Sequence, residues 1–301
     1  MIRKISLIGA PTSAGAFAPG QEGAPAALRE AGLAERLRQF GHTVTDHGDT
    51  SYFRWRPDRN SPHAQNAGHV RKTIDELSAS VEEFAGAGEF TLVLGGDCTI
   101  ELGTVAGFLR SGASVGVIYF DMHADMNTPD GPPAGALDWM GLGHMLNLPG
   151  ALPRLANVTG TVPMLLPGQV VLLGHRDDQA TGFERRDIHR LGIKTLPIDE
   201  VARSPASSAK AALAHFPDAA TTILVHFDVD VIDFTDAPLS ENTGRNIGLE
   251  IHTASEALGT LLGDGRVAAL TIAELNPGHG EEDGSTVEDF CSRLAGAFHR
   301  T

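Results

Sequence analysis

The sequence predicts an α/β protein built on a parallel β-sheet that is covered by helices on both faces. Short apolar runs alternate along the chain with longer segments that have helical spacing. The runs are apolar at consecutive positions, as in FTLVL and VGVIYF, which is typical of parallel strands buried on both sides. Because crossovers between parallel strands are right-handed, we expect the carboxyl ends of the strands at one edge of the sheet.

The predicted elements follow this alternation in order. Strands are predicted at residues 4–10, 42–47, 90–94, 115–120, 170–173, 222–227 and 267–272. After the first strand a Gly- and Pro-rich loop is predicted, then a helix over 26–40 that ends at Gly41, and later a long helix over about 66–85. The Pro- and Gly-rich stretch 130–143 indicates a functional loop rather than a boundary, because the alternation continues on both sides of it. One domain over 1–301 is therefore predicted.

The composition excludes some classes of protein. The net charge is −15, with 38 acidic and 23 basic residues, so the chain repels phosphate backbones and is not expected to bind nucleic acid. The negative field suits a cationic substrate, although an acidic surface more often only confers solubility. Two cysteines, Cys98 and Cys291, cannot form a disulfide framework, and no secretion signal or membrane-length apolar run is present. The sequence thus predicts a soluble cytoplasmic protein.

Carboxylates and one imidazole follow two of the predicted strands. The strand over 115–120 leads into Asp121, His123 and Asp125 at alternate positions, and the strand over 222–227 leads into Asp228 and Asp230. In an extended segment alternate side chains share one face, so each set is expected to point together. Four carboxylates crowded at one edge of a sheet repel one another unless cations neutralise them.

The alternative is that these residues only cap helices or form turns. A lone Asp-x-Asp at a strand end is more often such a turn. The two motifs together, each directly after a buried strand, reverse those odds. Oxygen-rich ligands with one imidazole suit Mn²⁺, with Fe²⁺, Co²⁺, Ni²⁺ or Zn²⁺ as competitors. The sequence therefore predicts a metal site.

These motifs carry a resemblance to the arginase/agmatinase/formimidoylglutamase (ureohydrolase) family. DMHAD is similar to the family's Asp-Ala-His-x-Asp, FDVDVID to its Ser-x-Asp-x-Asp-x-x-Asp, and GGDCT to its Gly-Gly-Asp-His-Ser. ISLIGAPTSAG and GAPAALREAGL resemble the family's opening strand and first helix, and AELNP resembles its late Glu-x-Asn-Pro. The resemblance spans about Ile5 to Phe298. It implies a three-layer α/β fold with an eight-stranded parallel sheet, a trimer or hexamer, and a paired-manganese site.

Carried over by position, the resemblance also implies roles for individual residues. The implied metal ligands are Cys98, Asp121, His123, Asp125, Asp228 and Asp230. Asp121 and Asp228 resemble the carboxylates that bridge both cations. Two adjacent cations lower the pKa of a water between them and provide a hydroxide that attacks a guanidinium carbon. Glu274 matches the carboxylate that receives the guanidinium nitrogens, and Asn127 matches a contact to the substrate carboxylate in arginases.

Some positions depart from the family pattern. Cys98 stands where a histidine ligand is usual, and as a thiolate it favours Zn²⁺, Co²⁺, Ni²⁺ or Fe²⁺ over Mn²⁺. Asp138 occupies the position of the arginase proton-shuttle histidine. Neighbouring cations lower a carboxyl pKa, so Asp138 is expected to bind substrate or orient its loop. In arginases, hydroxyl residues and an aspartate hold L-arginine. Pro132 and Ala134 stand at the positions of the hydroxyl residues, and Gln179 stands at the position of the aspartate. Poor hydrolysis of L-arginine and of agmatine is therefore predicted.

The leading hypothesis is a metal-dependent hydrolase of a guanidino, hydroxyguanidino or formimino compound, with Asp125, Asp138 and Glu274 as its catalytic residues and Gln179 among its substrate contacts. Hydrolysis of another amidine-like or amide bond is the enzymatic alternative. The non-enzymatic alternative is a catalytically inactive paralogue with a regulatory role, but such a protein is expected to have lost several of the carboxylates. His144 and His175 are candidates for replacing the missing histidines, although ordinary buried or surface histidines are the favoured interpretation.

Overall fold

A computed structural model describes residues 2–131, 135–218 and 221–299 of the chain. The strands are β1 Lys4–Gly9, β2 Thr43–Asp49, β3 Phe90–Leu94, β4 Ser114–Phe120, β5 Val170–His175, β6 Lys194–Pro197, β7 Thr221–Asp228 and β8 Val267–Ala273. They form one eight-stranded sheet in the order β2-β1-β3-β8-β7-β4-β5-β6. Every pairing between neighbours is parallel, which confirms the predicted α/β class and sheet.

Helices connect the strands and cover both faces of the sheet. They are α1 Ala24–Glu30, α2 Leu33–Gln39, α3 Ala67–Gly86, α4 Glu101–Arg110, α5 Gly141–Met145, α6 Pro153–Ala156, α7 Gly182–Leu191, α8 Ile198–Arg203, α9 Pro205–Ala214, α10 Ile251–Leu262 and α11 Ser285–His299. The sheet separates two hydrophobic clusters. Along β4, Ile118 and Phe120 enter one cluster, which includes residues of α1, α2, α9, α10 and α11, and Val117 and Tyr119 enter the other, which includes residues of α3 and α4. This alternation produces the three layers. Among the described residues, no helix has both the length and the apolar character needed to cross a membrane.

The structure differs from the prediction at one helix and one strand. The single helix predicted over 26–40 is wrong, because Gly32 adopts a left-handed φ of 74° and divides the segment into α1 and α2. The strand β6 was not predicted. This strand has four residues at the edge of the sheet, and only Leu196 among them is buried, so it lacks the apolar run on which the other strands were predicted.

Glycines at the end of β3 direct the chain into the edge of the sheet where the polar motifs lie. Gly96 has a φ of 147°, and a Cβ there would lie 2.6 Å from the carbonyl oxygen of Ala10. Only glycine fits this approach of two strand ends. The following Asp97 side chain accepts a hydrogen bond from the Thr99 backbone N–H at 3.1 Å and caps the turn that leads into α4. Cys98 is therefore held on a short capped turn.

Candidate metal centre

Four adjacent central strands deliver polar side chains to one cavity. In the sheet order β3-β8-β7-β4, Cys98 follows β3, Glu274 follows β8, Asp228 ends β7, and Asp121 follows β4. Cys98, Asp228 and Glu274 line a cavity of about 710 Å³. This is the carboxyl edge of the sheet, where ligands bind in open α/β proteins.

Two groups of potential donor atoms lie beside this cavity. One consists of Cys98, Asp121, His226 and Asp228, all of them buried, and the other of Asp121, His123 and Asp230. Within each group the candidate ligand atoms lie within 4.8 Å of one another. Asp121 belongs to both groups, so one carboxylate lies between them. This is the arrangement in which a carboxylate can bridge two cations.

Hydrogen bonds fix the geometry inside the groups. The Cys98 thiol donates to Asp228 Oδ2 at 3.1 Å, and His123 Nδ1 lies 2.9 Å from Asp230 Oδ2. The backbone N–H of His123 donates to Asp121 Oδ1 at 2.6 Å, and that of Asp230 donates to Asp228 Oδ1 at 2.7 Å. Each carboxylate is therefore oriented by the turn that follows it.

The charges at the site fit divalent cations. Burial, followed by the charge of Asp230, raises the pKa of Asp121 and of Asp228 well above the usual value. Burial and then Asp228 raise the pKa of the Cys98 thiol well above its usual value. Asp121 Oδ2 and Asp230 Oδ1 are buried without a hydrogen-bond partner among the described residues. These residues would suit a bound cation, which would relieve the repulsion between the carboxylates.

His123 balances part of this negative charge. Burial lowers the pKa of its imidazole, but the charge of Asp230 and the hydrogen bond of Asp121 outweigh burial and raise that pKa well above its usual value. The interaction in turn keeps the pKa of Asp230 below its usual value, against the effect of burial. His123 and Asp230 thus form an ion pair, and a bound cation would take over the role of the imidazole proton.

Comparison with known proteins decides the family. The model of the arginase family matches residues 3–296. The chain is 30% identical to the arginase of Bacillus subtilis over 301 residues, covering 98% of this chain and 99% of that protein. The chain belongs to the arginase family. It is also 30% identical to arginase-1 of Mus musculus, covering 95% of this chain and 89% of the relative.

Solved structures agree with this family membership. The structure resembles the arginase of Bacillus caldovelox with a TM-score of 0.89 at 28% identity, covering 99% of this chain and 98% of the other. It also resembles formimidoylglutamase of Bacillus subtilis with a TM-score of 0.72 at 21% identity, covering 99% of this chain and 87% of the other. The second likeness shows a shared fold. The likeness to the arginase structure therefore extends over the whole sheet, including the edge where the site lies.

Asp125 lies differently from the expectation for this arginase-family protein. The segment after β4 bends instead of remaining extended, and Asp125 has a left-handed φ of 49°. The segment is therefore not extended at Asp125, although Asp125 still lines the same cavity as His123 and Asp230. Asp125 lines the cavity but belongs to neither donor group, and its Oδ2 accepts from the Tyr119 hydroxyl at 2.6 Å. Burial raises its pKa to about 6. Its role as a ligand stays a prediction.

Glu274 lines the cavity from the end of β8. It has a left-handed φ of 59°, a strained conformation that often occurs at functional sites. Its Oε1 accepts from the Cys98 backbone N–H at 2.8 Å, and its Oε2 accepts from Gln21 Nε2 at 2.9 Å. Burial and then Asp138 raise its pKa well above the usual value. The carboxylate is thus oriented before any substrate arrives.

Asp138 lines the same cavity from the turn before α5. Its Oδ1 accepts from the Trp139 backbone N–H at 2.9 Å. Burial, then Asp97 and Asp125, raise the pKa of Asp138 well above its usual value. Bound cations act in the opposite direction. Its position therefore brings it within the space available to a substrate.

The other predicted substrate contacts lie apart from this cavity. Asn127 is buried, and its Oδ1 accepts from the Thr181 hydroxyl at 2.9 Å. Gln179 is exposed. Neither lines the cavity within the described part of the chain, and a role in substrate binding stays a prediction for both. Pro132 and Ala134 lie outside the described residues.

The two spare histidines do not enter the site. His144 and His175 are buried, and neither is among the described residues that line the cavity. His144 Nδ1 donates to the Met140 carbonyl at 2.7 Å, and burial lowers the pKa of His144 to about 4. Cys291 is fully buried in α11, as its place in an amphipathic helix predicts.

The buried His144 predicts a loss of stability in acid. Its pKa is about 4 in the folded protein and near 6.5 when unfolded, so the unfolded state binds more protons between these values. The neutral His144 therefore contributes about 3 kcal/mol to the free energy of unfolding above pH 6.5, and this contribution is lost as the pH falls to 4. We expect His144→Gln to flatten this part of the curve of unfolding free energy against pH. The exposed His252→Gln is the control. Parallel curves for the His144 variant and the native protein would contradict the assignment.

Sequence reasoning missed several residues at the site. His226 belongs to a donor group, Tyr119 and Gln21 orient carboxylates, and Glu241 adds an acidic side chain to the cavity. A signal was present for His226, which interrupts an apolar strand two positions before Asp228 and shares its face. Gln21 begins a short 3-10 helix and Glu241 lies in a loop, and the sequence does not reveal the path of either segment.

Proposed function

We propose that this protein is a two-cation hydrolase of a guanidino or related linear amidine C–N bond. The observation that carries the proposal is the pair of donor groups sharing Asp121, set beside a cavity that is lined by acidic side chains. Family membership supports the same reaction class. The cavity also has acidic side chains that are not among the candidate metal ligands, and their negative charge suits a cationic amidine substrate.

The residues divide the work between holding cations and holding substrate. Two divalent cations bound here would supply Lewis acidity and would lower the pKa of a bound water. Asp121 would hold both cations, and Asp228 would hold the one beside Cys98. Glu274, oriented by Gln21, accepts the N–H groups of the amidinium in charge-assisted hydrogen bonds and directs its carbon toward the donor groups. Asp125, oriented by Tyr119, accepts or returns a proton during C–N cleavage.

The remaining features of the proposal follow the family. The cations are Mn²⁺, or Zn²⁺, Co²⁺, Ni²⁺ or Fe²⁺ because Cys98 is a soft ligand. The protein forms a homo-oligomer, either a trimer or a hexamer, and its partners are small cationic substrates rather than nucleic acid or membrane. One domain over 1–301 is supported by the single sheet that contains all eight strands. Two buried free cysteines are consistent with a cytoplasmic location.

A metal analysis followed by a substrate screen tests the function. We expect about two divalent cations per chain after loading, and release of urea or a substituted urea from a guanidino compound. Release of formamide from a formimino compound instead would favour the formimino alternative. A protein that binds cations but cleaves neither class would support the inactive regulatory alternative. A protein that binds no divalent cation would contradict the proposal.

Replacing Cys98 tests whether its thiolate is a ligand. We expect Cys98→His to shift the preference of one site toward Mn²⁺ by about tenfold or more, because imidazole is a harder ligand than thiolate. The measurement is metal content after equilibration with equal Mn²⁺ and Zn²⁺. Cys291→Ser, which removes the other buried thiol, is the matched control. Identical metal ratios in the Cys98 variant and the native protein would remove Cys98 from the ligands.

A further inference from the structure

His226 and Glu101 form a buried pair of polar side chains that the proposed reaction leaves unused. Both side chains are fully buried. Both ring nitrogens of His226 and both carboxylate oxygens of Glu101 lack a hydrogen-bond partner among the described residues. His226 Nδ1 lies 3.7 Å from Glu101 Oε2. Leaving four buried polar atoms unpaired is costly, and even a hydrogen bond between the two residues would leave one nitrogen of His226 without a partner.

A cation held by the donor group beside the cavity would be a partner for this nitrogen of His226. A ring nitrogen of His226 lies within 4.8 Å of the ligand atoms of Cys98, Asp121 and Asp228. The ring stacks on Tyr119, with centroids 4.0 Å apart and 15° between the planes. This stacking fixes the plane of the imidazole while its two nitrogens remain free to bind.

Glu101 faces Nδ1 of the ring. It begins α4, three residues after Cys98, so one capped turn positions both the thiol and the carboxylate. The N-terminus of α4 favours the negative charge of Glu101 in this apolar setting. Shortening the 3.7 Å separation by about 0.5 Å brings the two atoms to hydrogen-bond distance.

We propose that His226 supplies the imidazole ligand of the cation held by Cys98, Asp121 and Asp228, and that Glu101 positions this imidazole. This inference rests on the proposed metal centre. One ring nitrogen binds the cation, and the N–H of the other donates to Glu101, as metal-binding histidines commonly donate to a carboxylate. The histidine usual at position 98 is thus replaced by a thiolate, and an imidazole enters from β7. A thiolate, an imidazole and two carboxylates form a four-ligand set suited to Zn²⁺ or Co²⁺.

Titration of the metal-free protein with Co²⁺ tests the assignment. We expect His226→Phe, which preserves the stacking on Tyr119, to weaken the binding of one Co²⁺ equivalent by about 100-fold and to leave the other nearly unchanged. Persistence of the sulfur-to-cobalt charge-transfer absorption at high Co²⁺ would show that the Cys98 side of the site remains intact. His175→Phe is the matched control, because His175 is also buried with both ring nitrogens unpartnered but belongs to neither donor group.

Variants of Glu101 separate positioning from packing. We expect Glu101→Leu to weaken the same Co²⁺ equivalent about 10- to 100-fold, and Glu101→Gln, which keeps an acceptor oxygen, to restore part of the affinity. A purely structural pair would lower the unfolding temperature in both variants while leaving the Co²⁺ affinity unchanged. That result would overturn the proposal.

The outcomes distinguish this inference from the proposed function. A native protein that binds no Co²⁺ would contradict the metal centre itself, and this inference with it. Two-site binding that is unaffected by the His226 and Glu101 variants would overturn only this inference. If His226→Phe does not fold, X-ray absorption of the Co²⁺-loaded His123→Ala variant decides the question. In that variant His226 is the one histidine left in the two donor groups, so absence of imidazole scattering would overturn the proposal.

Discussion

Asp228→Asn is expected to lower turnover by about 10³-fold or more with any substrate the protein hydrolyses. Asp228 lies in the buried donor group with Cys98 and Asp121. An amide cannot neutralise a cation, and the loss of several kcal/mol of Lewis-acid stabilisation corresponds to a loss of this size. The measurement is kcat under saturating metal, together with metal content. Undiminished turnover in this variant would show that the paired cations are not responsible for the chemistry.

The same variant predicts an opposite effect on the metal-free protein. Burial and then the charges of Asp230 and Asp121 raise the pKa of Asp228, so its carboxylate is unfavourable when no cation is bound. The neutral amide of the Asp228→Asn variant avoids this unfavourable charge. We therefore expect the metal-free variant to be at least as stable as the native protein, and to gain less stability when metal is added. Asp289→Asn, at an exposed ion pair with Arg293, is the control for loss of a carboxylate.

The fold and the location of the site were predictable from the sequence for a physical reason. Parallel strands buried on both faces leave a run of consecutive apolar residues, and the first polar residue after the run marks the carboxyl edge. Asp121 after β4 and Asp228 at the end of β7 are marked in this way. The edge strand β6 was not predicted because a strand at an exposed edge needs no apolar run. The ends of buried strands can therefore be predicted from the sequence, whereas exposed edge strands cannot.

Details inside the site depended on backbone geometry and on distant contacts. The left-handed φ of Asp125 redirects its carboxylate toward Tyr119, and alternation along a strand cannot anticipate such a bend. The contact between Gln21 and Glu274 joins positions 253 residues apart. His226 falls at the serine of the motif Ser-x-Asp-x-Asp, inside an apolar strand, where a lone histidine is usually a core residue. Only its neighbours in space, Cys98 among them, indicate a different role.

L-arginine is expected to be a poor substrate, and the charges of the cavity give the reason. No lysine or arginine among the described residues lines the cavity, whereas Asp138, Glu241 and Glu274 add negative charge beyond the two donor groups. The α-carboxylate of arginine would be repelled and would lack partners. Losing contacts of this kind costs roughly 1–3 kcal/mol each. We expect kcat/KM for L-arginine to be about 100-fold or more below that of the best cationic amidine in a screen.

A matched pair of substrates isolates the carboxylate from the rest of the molecule. L-arginine and agmatine differ only in the α-carboxylate, so the ratio of their kcat/KM values measures its effect even if neither is the preferred substrate. Glu241 lines the cavity and is partly buried, which raises its pKa but leaves its charged form repulsive to an anion. We expect Glu241→Gln to raise the arginine-to-agmatine ratio several-fold, on the order of 1 kcal/mol. Glu82→Gln, at an exposed position on α3, is the control and should leave the ratio unchanged.

Efficient urea release from L-arginine by the native protein would show that the cavity accommodates a carboxylate despite its charge. An unchanged ratio in the Glu241 variant would mean that the lost hydroxyl and aspartate contacts, rather than repulsion, set the specificity.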